Sequence, residues 1–185
     1  TLADIREVTE RAGEVIAGLH AMLKRGSTSA GLTNVDVNNV IRIVERIVHG
    51  DANLHKVTVH LDLSSDVRPV KGDSVQLQQV ILNLMLNAFS AMSGTGLDGA
   101  RRLVVRTNSI DGSNVLVEVQ DSGTGIAAEK LESVFDPFIT SKPEGLGLGL
   151  SISRSIIERH GGKISAANNP DRGATFSITL PASPD

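Results

Sequence analysis

Between Leu77 and Met92 the polar residues are Gln78, Gln79, Asn83, Asn87 and Ser90. Gln79, Asn83, Asn87 and Ser90 are spaced 4, 4 and 3, which places them on one stripe of a helix that is otherwise apolar nearly all round. A solvent-facing stripe is the ordinary reading. Against it, no charged residue occurs between Asp73 and Asp98, and Asn is a middling-to-poor helix former. Asn83 and Asn87, one turn apart, can instead present two neutral oxygens to a hard cation such as Mg²⁺, whose other ligands are commonly water and phosphate oxygens. A neutral pair also avoids repelling a polyphosphate.

Downstream lie two glycine clusters. Asp121-Ser-Gly123-Thr-Gly125-Ile126 follows an apolar strand pattern. Gly123, Gly125 and Ala128 fit G-x-G-x-x-A, but a dinucleotide site needs an acidic residue ending the next strand about 20 residues on. That region here is Pro143-Glu144, within another glycine-rich loop. Asp121 sits at a strand tip, where it either forms an Asx-turn or accepts a hydrogen bond from a ligand amine such as adenine N6. The second cluster, Gly145-Leu146-Gly147-Leu148-Gly149-Leu150, runs into a helix, an arrangement that offers backbone N–H groups to phosphate. It lacks the G-x-x-x-x-G-K-[ST] pattern of a P-loop. Between the clusters stands Phe135-Asp-Pro-Phe138-Ile-Thr-Ser-Lys142. Phe135 and Phe138 either latch a lid or pack in the core, and Lys142 either reaches phosphate or is solvated.

The elements that must position these groups follow from periodicity. Residues 1–25 carry Ile5, Val8, Ala12, Val15, Leu19 and Met22 at alternating spacings of 3 and 4, a heptad seam. Residues 26–34, opening Gly26-Ser-Thr-Ser-Ala-Gly31, are a linker by composition. An amphipathic helix is expected over 36–50, a strand over 56–63 and a long helix over 73–92, N-capped at Asp73/Ser74. Strands near 103–108 and 115–120 meet at Asp111-Gly112, a hairpin turn signal. A short helix near 127–134, a helix over 150–160 stopped by Gly161-Gly162, and strands near 163–167 and 175–180 complete the chain. The order predicts an α+β fold: a two-layer α/β sandwich with a mixed, mostly antiparallel sheet, preceded by the N-terminal helix.

Composition excludes several classes. The 185 residues contain no cysteine, so disulfides and thiolate metal sites are ruled out. A net charge of -3 and the lack of Trp and Tyr argue against a nucleic-acid partner. No apolar run reaches the ~18 residues of a membrane span, so the chain reads as cytoplasmic, with any anchor on a longer parent.

The ordered blocks Gln78-Gln79-Val-Ile-Leu-Asn83-Leu-Met-Leu-Asn87-Ala88, Asp121-Ser-Gly123-Thr-Gly125, Phe135-Asp-Pro-Phe138, Gly145-Leu-Gly147-Leu-Gly149-Leu and Gly173-Ala-Thr175-Phe resemble the N, first glycine, F, second glycine and last glycine-threonine boxes of sensor histidine kinases, in the GHKL superfamily. The resemblance covers residues 35–181 and implies an ATP-binding catalytic domain over 35–185. It implies ATP and Mg²⁺ as cofactors, with Asn83 and Asn87 as catalytic metal ligands. Asp121 would read adenine, and Gly123, Gly125 and Ile126 would lie by the base with Thr175 in support. Phe138, Lys142, Gly145, Leu146, Gly147, Leu148, Gly149 and Leu150 would form the lid over the nucleotide.

Residues 1–25 resemble the second helix of a dimerisation and phosphoacceptor hairpin, which implies a homodimer of the full-length parent, a phosphoacceptor histidine on that hairpin and a response regulator as partners. The acceptor is expected outside this chain. Its five histidines are followed by Ala21, Gly50, Lys56, Leu61 and Gly161, never by Glu or Asp. Two departures stand out: Ser90 replaces a common Lys or Arg, and the last box reads Gly-Ala-Thr. A GHKL hydrolase would place Glu four residues before Asn87, where this chain has Asn83. A serine kinase of the same fold or a nucleotide-sensing module would also carry such boxes. The heptad seam, which needs a helical partner, favours the histidine kinase.

Overall fold

The computed structural model describes residues 32–93, 99–140 and 146–184. The heptad helix over 1–25, most of the linker, Lys142 and Gly145 lie outside the described residues. Ten elements follow in order: β1 (Thr33–Val35), α1 (Val37–Leu54), β2 (Val57–Leu63), β3 (Val70–Gly72), α2 (Ser74–Met92), β4 (Arg101–Ile110), β5 (Asn114–Asp121), α3 (Gly149–Arg159), β6 (Lys163–Asn168) and β7 (Ala174–Pro181).

Five strands form one sheet in the order β2-β4-β5-β7-β6, with β2–β4 parallel and the other pairs antiparallel. Burial along β5 and β7 alternates residue by residue, as period-two strands with one packed face require. That face, with Leu103, Val105, Val117, Val119, Phe176 and Ile178, forms one apolar core with the three helices. The expected two-layer α+β sandwich is what the chain adopts.

Local chemistry sets the helix ends. The Asp36 carboxylate caps α1 by accepting from Asn39 N–H at 3.1 Å. Asp73 caps α2, accepting from the N–H groups of Val75 and Gln76 at 2.9 and 3.2 Å, while Gln76 reaches back to its other oxygen at 3.1 Å. α3 stops where Gly161 adopts φ +72° and Gly162 N–H returns to Ile157 C=O at 3.0 Å.

The structure departs from expectation in three places. Thr33 and Asn34, expected in the linker, form β1 and pair with β3, so the folded unit begins earlier than residue 35. A three-residue strand is too short for periodicity to reveal. The helix expected over 127–134 reduces to a 3₁₀ turn at Ala128–Lys130, because its few apolar side chains have no long face to pack. α1 runs on to Leu54, since Ala52 continues the buried stripe of Val44 and Val48 past Gly50.

Candidate functional site

The stripe on α2 is a floor rather than a solvent face. Asn83 and Asn87 are half-buried, and of the stripe only Ser90 beyond them is exposed. Asn83 Nδ2 donates to Ser153 Oγ on α3 at 3.0 Å, and Asn87 Nδ2 lies 3.5 Å from Asn83 Oδ1. The first turn of α3 rests directly on this pair: a Cβ on Gly149 would stand 2.5 Å from Asn83 Oδ1. Two turns further along α2, a Cβ on Gly123 would stand 2.7 Å from Ala91 C=O, the same oxygen that accepts Thr124 N–H at 3.2 Å. Positions 83, 87 and 91 thus form one line, about 12 Å long at 1.5 Å per residue. The second glycine cluster sits at one end and the first at the other.

Asp121 ends β5 at the first-cluster end, only 4% exposed. Its Oδ1 accepts from Gly123 N–H at 2.7 Å and Ala174 N–H at 3.3 Å. Among the described residues its Oδ2 accepts no hydrogen bond, which leaves that oxygen for a ligand donor. Burial pushes the carboxyl above its ordinary 3.8, and the two N–H bonds pull it partly back. The Asx-turn bond is made by Oδ1. Gly173 must lack a side chain here, because a Cβ at its φ of +83° would collide with the Asp121 carbonyl oxygen.

The lid residues that are described meet at two glycines. Gly147, at φ +65°, accepts Phe138 N–H at 3.0 Å, and a Cβ on it would stand 2.6 Å from the Phe138 carbonyl carbon. Phe138 itself is held at φ 66° and is 74% exposed. Phe135 packs edge-on to Phe176 in the core at 6.1 Å, and Phe138 stands exposed on the surface. Leu146 is exposed, and Leu148 and Leu150 are half-buried around Gly149. Among the described residues no side chain caps the N-terminus of α3: Leu148 is the N-cap residue and makes no such bond. The first residue of α3, Gly149, lies against Asn83 on the α2 floor, and the first N–H groups of a helix have no partner within it.

Residues 72–184 match the family described as Histidine kinase-, DNA gyrase B-, and HSP90-like ATPase. The chain belongs to that family. Among its relatives it is 36% identical over 172 residues to Sensor histidine kinase ZraS of Escherichia coli (strain K12), covering 93% of this chain and 35% of that one. It is 37% identical over 173 residues to Sensor protein FixL of Bradyrhizobium diazoefficiens, covering 93% and 33%. The chain therefore spans about a third of the length of these relatives. The solved catalytic domain of histidine kinase ThkA superposes with a TM-score of 0.72 at 32% identity, over 83% of this chain and 99% of that one. A structure of ThkA in complex with response regulator protein TrrA gives a TM-score of 0.74 at 26% identity, over 95% and 49%. This is a histidine-kinase catalytic domain of the GHKL ATP-binding fold.

Within this GHKL domain Thr175 makes no direct hydrogen bond to the Asp121 carboxylate and is linked to Asp121 through Asn169. β7 alternates, so Ala174 and Phe176 face inward while Thr175 pairs with Gln120 on the other face. The Thr175 hydroxyl donates to Asn169 Oδ1 at 2.6 Å, and Asn169 Nδ2 in turn donates to the Asp121 carbonyl at 2.8 Å. It is the Ala174 backbone that touches the carboxylate. Sequence reasoning missed Asn168 as well. Its carboxamide clamps Ile126 at two points, accepting the N–H at 2.8 Å and donating to the C=O at 2.7 Å, and so fixes the backbone beside Gly125. The signal was the turn-rich Asn168-Asn169-Pro170-Asp171, which reads as a loop and not as a support for a distant glycine box. His160 proves structural. It is 6% exposed, with Nδ1 bonded to Ile156 C=O at 2.7 Å and Nε2 accepting Asp73 N–H at 3.0 Å.

Proposed function

We propose that this domain binds Mg-ATP along α2 and passes the γ-phosphoryl group to a histidine of a phosphoacceptor hairpin, which then serves a response regulator. The observation that carries the reading is the polarity of the floor. It has a buried carboxylate with one open oxygen at one end, two neutral carboxamides in the middle, and uncapped helix N–H groups at the other. A base with an exocyclic amine suits the first, a metal-bound polyphosphate the others. Asp121 Oδ2 accepts from the amine, Gly123 and Gly125 let the base lie against backbone, and the α3 N-terminus draws the phosphates.

The donor set fits Mg²⁺, which favours hard oxygens and keeps water and phosphate among its ligands. Among the described residues no group of three or more His, Cys, Asp or Glu stands ready to hold a metal alone. Asn83 and Asn87 would therefore hold the ion together with the nucleotide. When bound, Mg²⁺ neutralises charge on the phosphate oxygens during transfer. Asn83 occupies the position where a hydrolase would carry its carboxylate base, so the nucleophile must come from the acceptor. Among the described histidines, His160 is unsuited to that role because both ring nitrogens are committed in the core.

Labelled ATP tests the transfer. The isolated chain should not label itself, whereas a separately supplied hairpin bearing the acceptor histidine should be labelled slowly, because the covalent link that raises effective concentration is lost. Asn87→Ala should abolish transfer and Asn83→Ala should weaken it severely. Rapid phosphate release to water that disappears in Asn83→Ala would favour a hydrolase instead. Calorimetry should show strong preference for ATP over GTP. Guanine offers a carbonyl oxygen where adenine offers its amine, and an unpaired buried acceptor costs about 1–3 kcal/mol. Equal affinities would sink the adenine assignment.

A further inference from the structure

The sequence boxes do not include Ser153, yet this residue touches both halves of the phosphate end. It lies one turn into α3 and is 2% exposed. Its hydroxyl sits between Asn83 Nδ2 and the Gly149 carbonyl, 3.0 Å from each. A hydroxyl has one proton and a carbonyl oxygen can only accept, so the proton goes to Gly149. What remains for Asn83 is a lone pair, and only the NH₂ side of the carboxamide can answer it. The other branch of Asn83, its oxygen, lies 3.5 Å from Asn87 Nδ2, a contact at the outer limit of a hydrogen bond that agrees with this orientation without fixing it. Ser153 thus supplies the contact that distinguishes the nitrogen of Asn83 from its oxygen. Gly149 leaves no room for a side chain in between.

We infer that Ser153 is a positioning residue that holds the Asn83 carboxamide with its oxygen toward Asn87 and ties that orientation to the first turn of α3. The inference rests on the Mg-ATP reading above for its consequence, though not for its geometry. Without the Ser153 lone pair only the 3.5 Å contact with Asn87 remains to orient the Asn83 amide, and a rotated amide would offer N–H groups where an oxygen is needed. Partners that orient a metal ligand typically govern about 10–100-fold in metal affinity.

The test measures binding of a nonhydrolysable ATP analogue to the whole chain by calorimetry, with Mg²⁺ titrated and with EDTA. Ser153→Ala should weaken the apparent Mg²⁺ affinity about ten-fold and leave Mg-free nucleotide binding unchanged. Ser153→Thr, which keeps the hydroxyl, should recover most of the loss. A merely structural role would lower both affinities together and would not separate the two variants. Independently of any metal, NMR of the Asn83 side-chain amide should show protected, well-dispersed protons in the wild type and averaged ones in Ser153→Ala. If Ser153→Ala does not fold, Ser153→Cys replaces it and should give an intermediate loss. Normal Mg²⁺ dependence in Ser153→Ala beside its loss in Asn83→Ala would overturn the positioning role alone. Normal dependence in Asn83→Ala as well would overturn the metal reading and this inference with it.

Discussion

Asp121 is held at a cost, which the proposed role as ligand acceptor would explain. Burial raises its carboxyl above the ordinary 3.8, and the N–H groups of Gly123 and Ala174 only partly offset that. A carboxyl with a higher pKa when folded than when unfolded weakens the fold as it ionises. The penalty is absent below the unfolded value, grows as pH rises through the window between the two values, and is constant above it. Asp121→Asn keeps an oxygen for the two N–H groups and removes the charge. It should therefore melt higher than wild type, by about 2–4 °C for each kcal/mol relieved. The gap should open from about pH 4 toward neutrality. The same variant should lose most ATP affinity, since its amide presents a donor to the adenine amine. Thermal melts across pH, paired with calorimetry, read both effects. A variant that melts lower at neutral pH would contradict the burial argument.

α3 answers to two demands that oppose each other at Gly149. Helix propensity favours Ala over Gly by about 1 kcal/mol in a helix interior, and by less at the first helical position that Gly149 occupies. The approach to Asn83 forbids it, since the added Cβ would stand 2.5 Å from Oδ1. Gly149→Ala should change the melting temperature little, because the two effects cancel in part, yet cut Mg-dependent nucleotide binding by at least about ten-fold. Binding at wild-type strength would show that α3 can retreat from α2 without consequence. This element also shows what the sequence could and could not convey. The polar stripe of α2 was legible because Asn83 and Asn87 break an apolar pattern without any charge beside them. The glycine boxes were legible as boxes. Ser153, Asn168 and Asn169 were not, because each acts on a residue 42 to 70 positions away and its own neighbourhood looks like an ordinary helix or turn. The route from Thr175 was hidden for the same reason: strand parity, set by pairing with β5, puts it on the face opposite Ala174, and it reaches Asp121 only through Asn169. β1 pairs with β3, and β3 also bridges Ala182, partners that no local pattern announces.

At the scale of the molecule, no helix among the described residues is long and apolar enough to cross a membrane. The two ends of the folded unit are stitched together. Ser183 Oγ donates to Asn34 Oδ1 at 2.9 Å, and Ser183 N–H bonds to Pro69 C=O at 2.7 Å. Arg68 reinforces the junction, donating to Ser183 C=O at 2.7 Å and to Gly112 C=O at 3.0 Å. Chain enters and leaves at one spot, so the order in which the elements are threaded is not what holds them. A circular permutant follows: residue 184 joined to residue 32 by a few glycines, with new ends opened at the exposed Ser65–Asp66 turn. It should fold and bind nucleotide as the original does, checked by melting and calorimetry, while failure would show that the threading matters. The same junction brings both ends of the described unit to one place on its surface, so a load applied at either end meets the fold at the same set of hydrogen bonds.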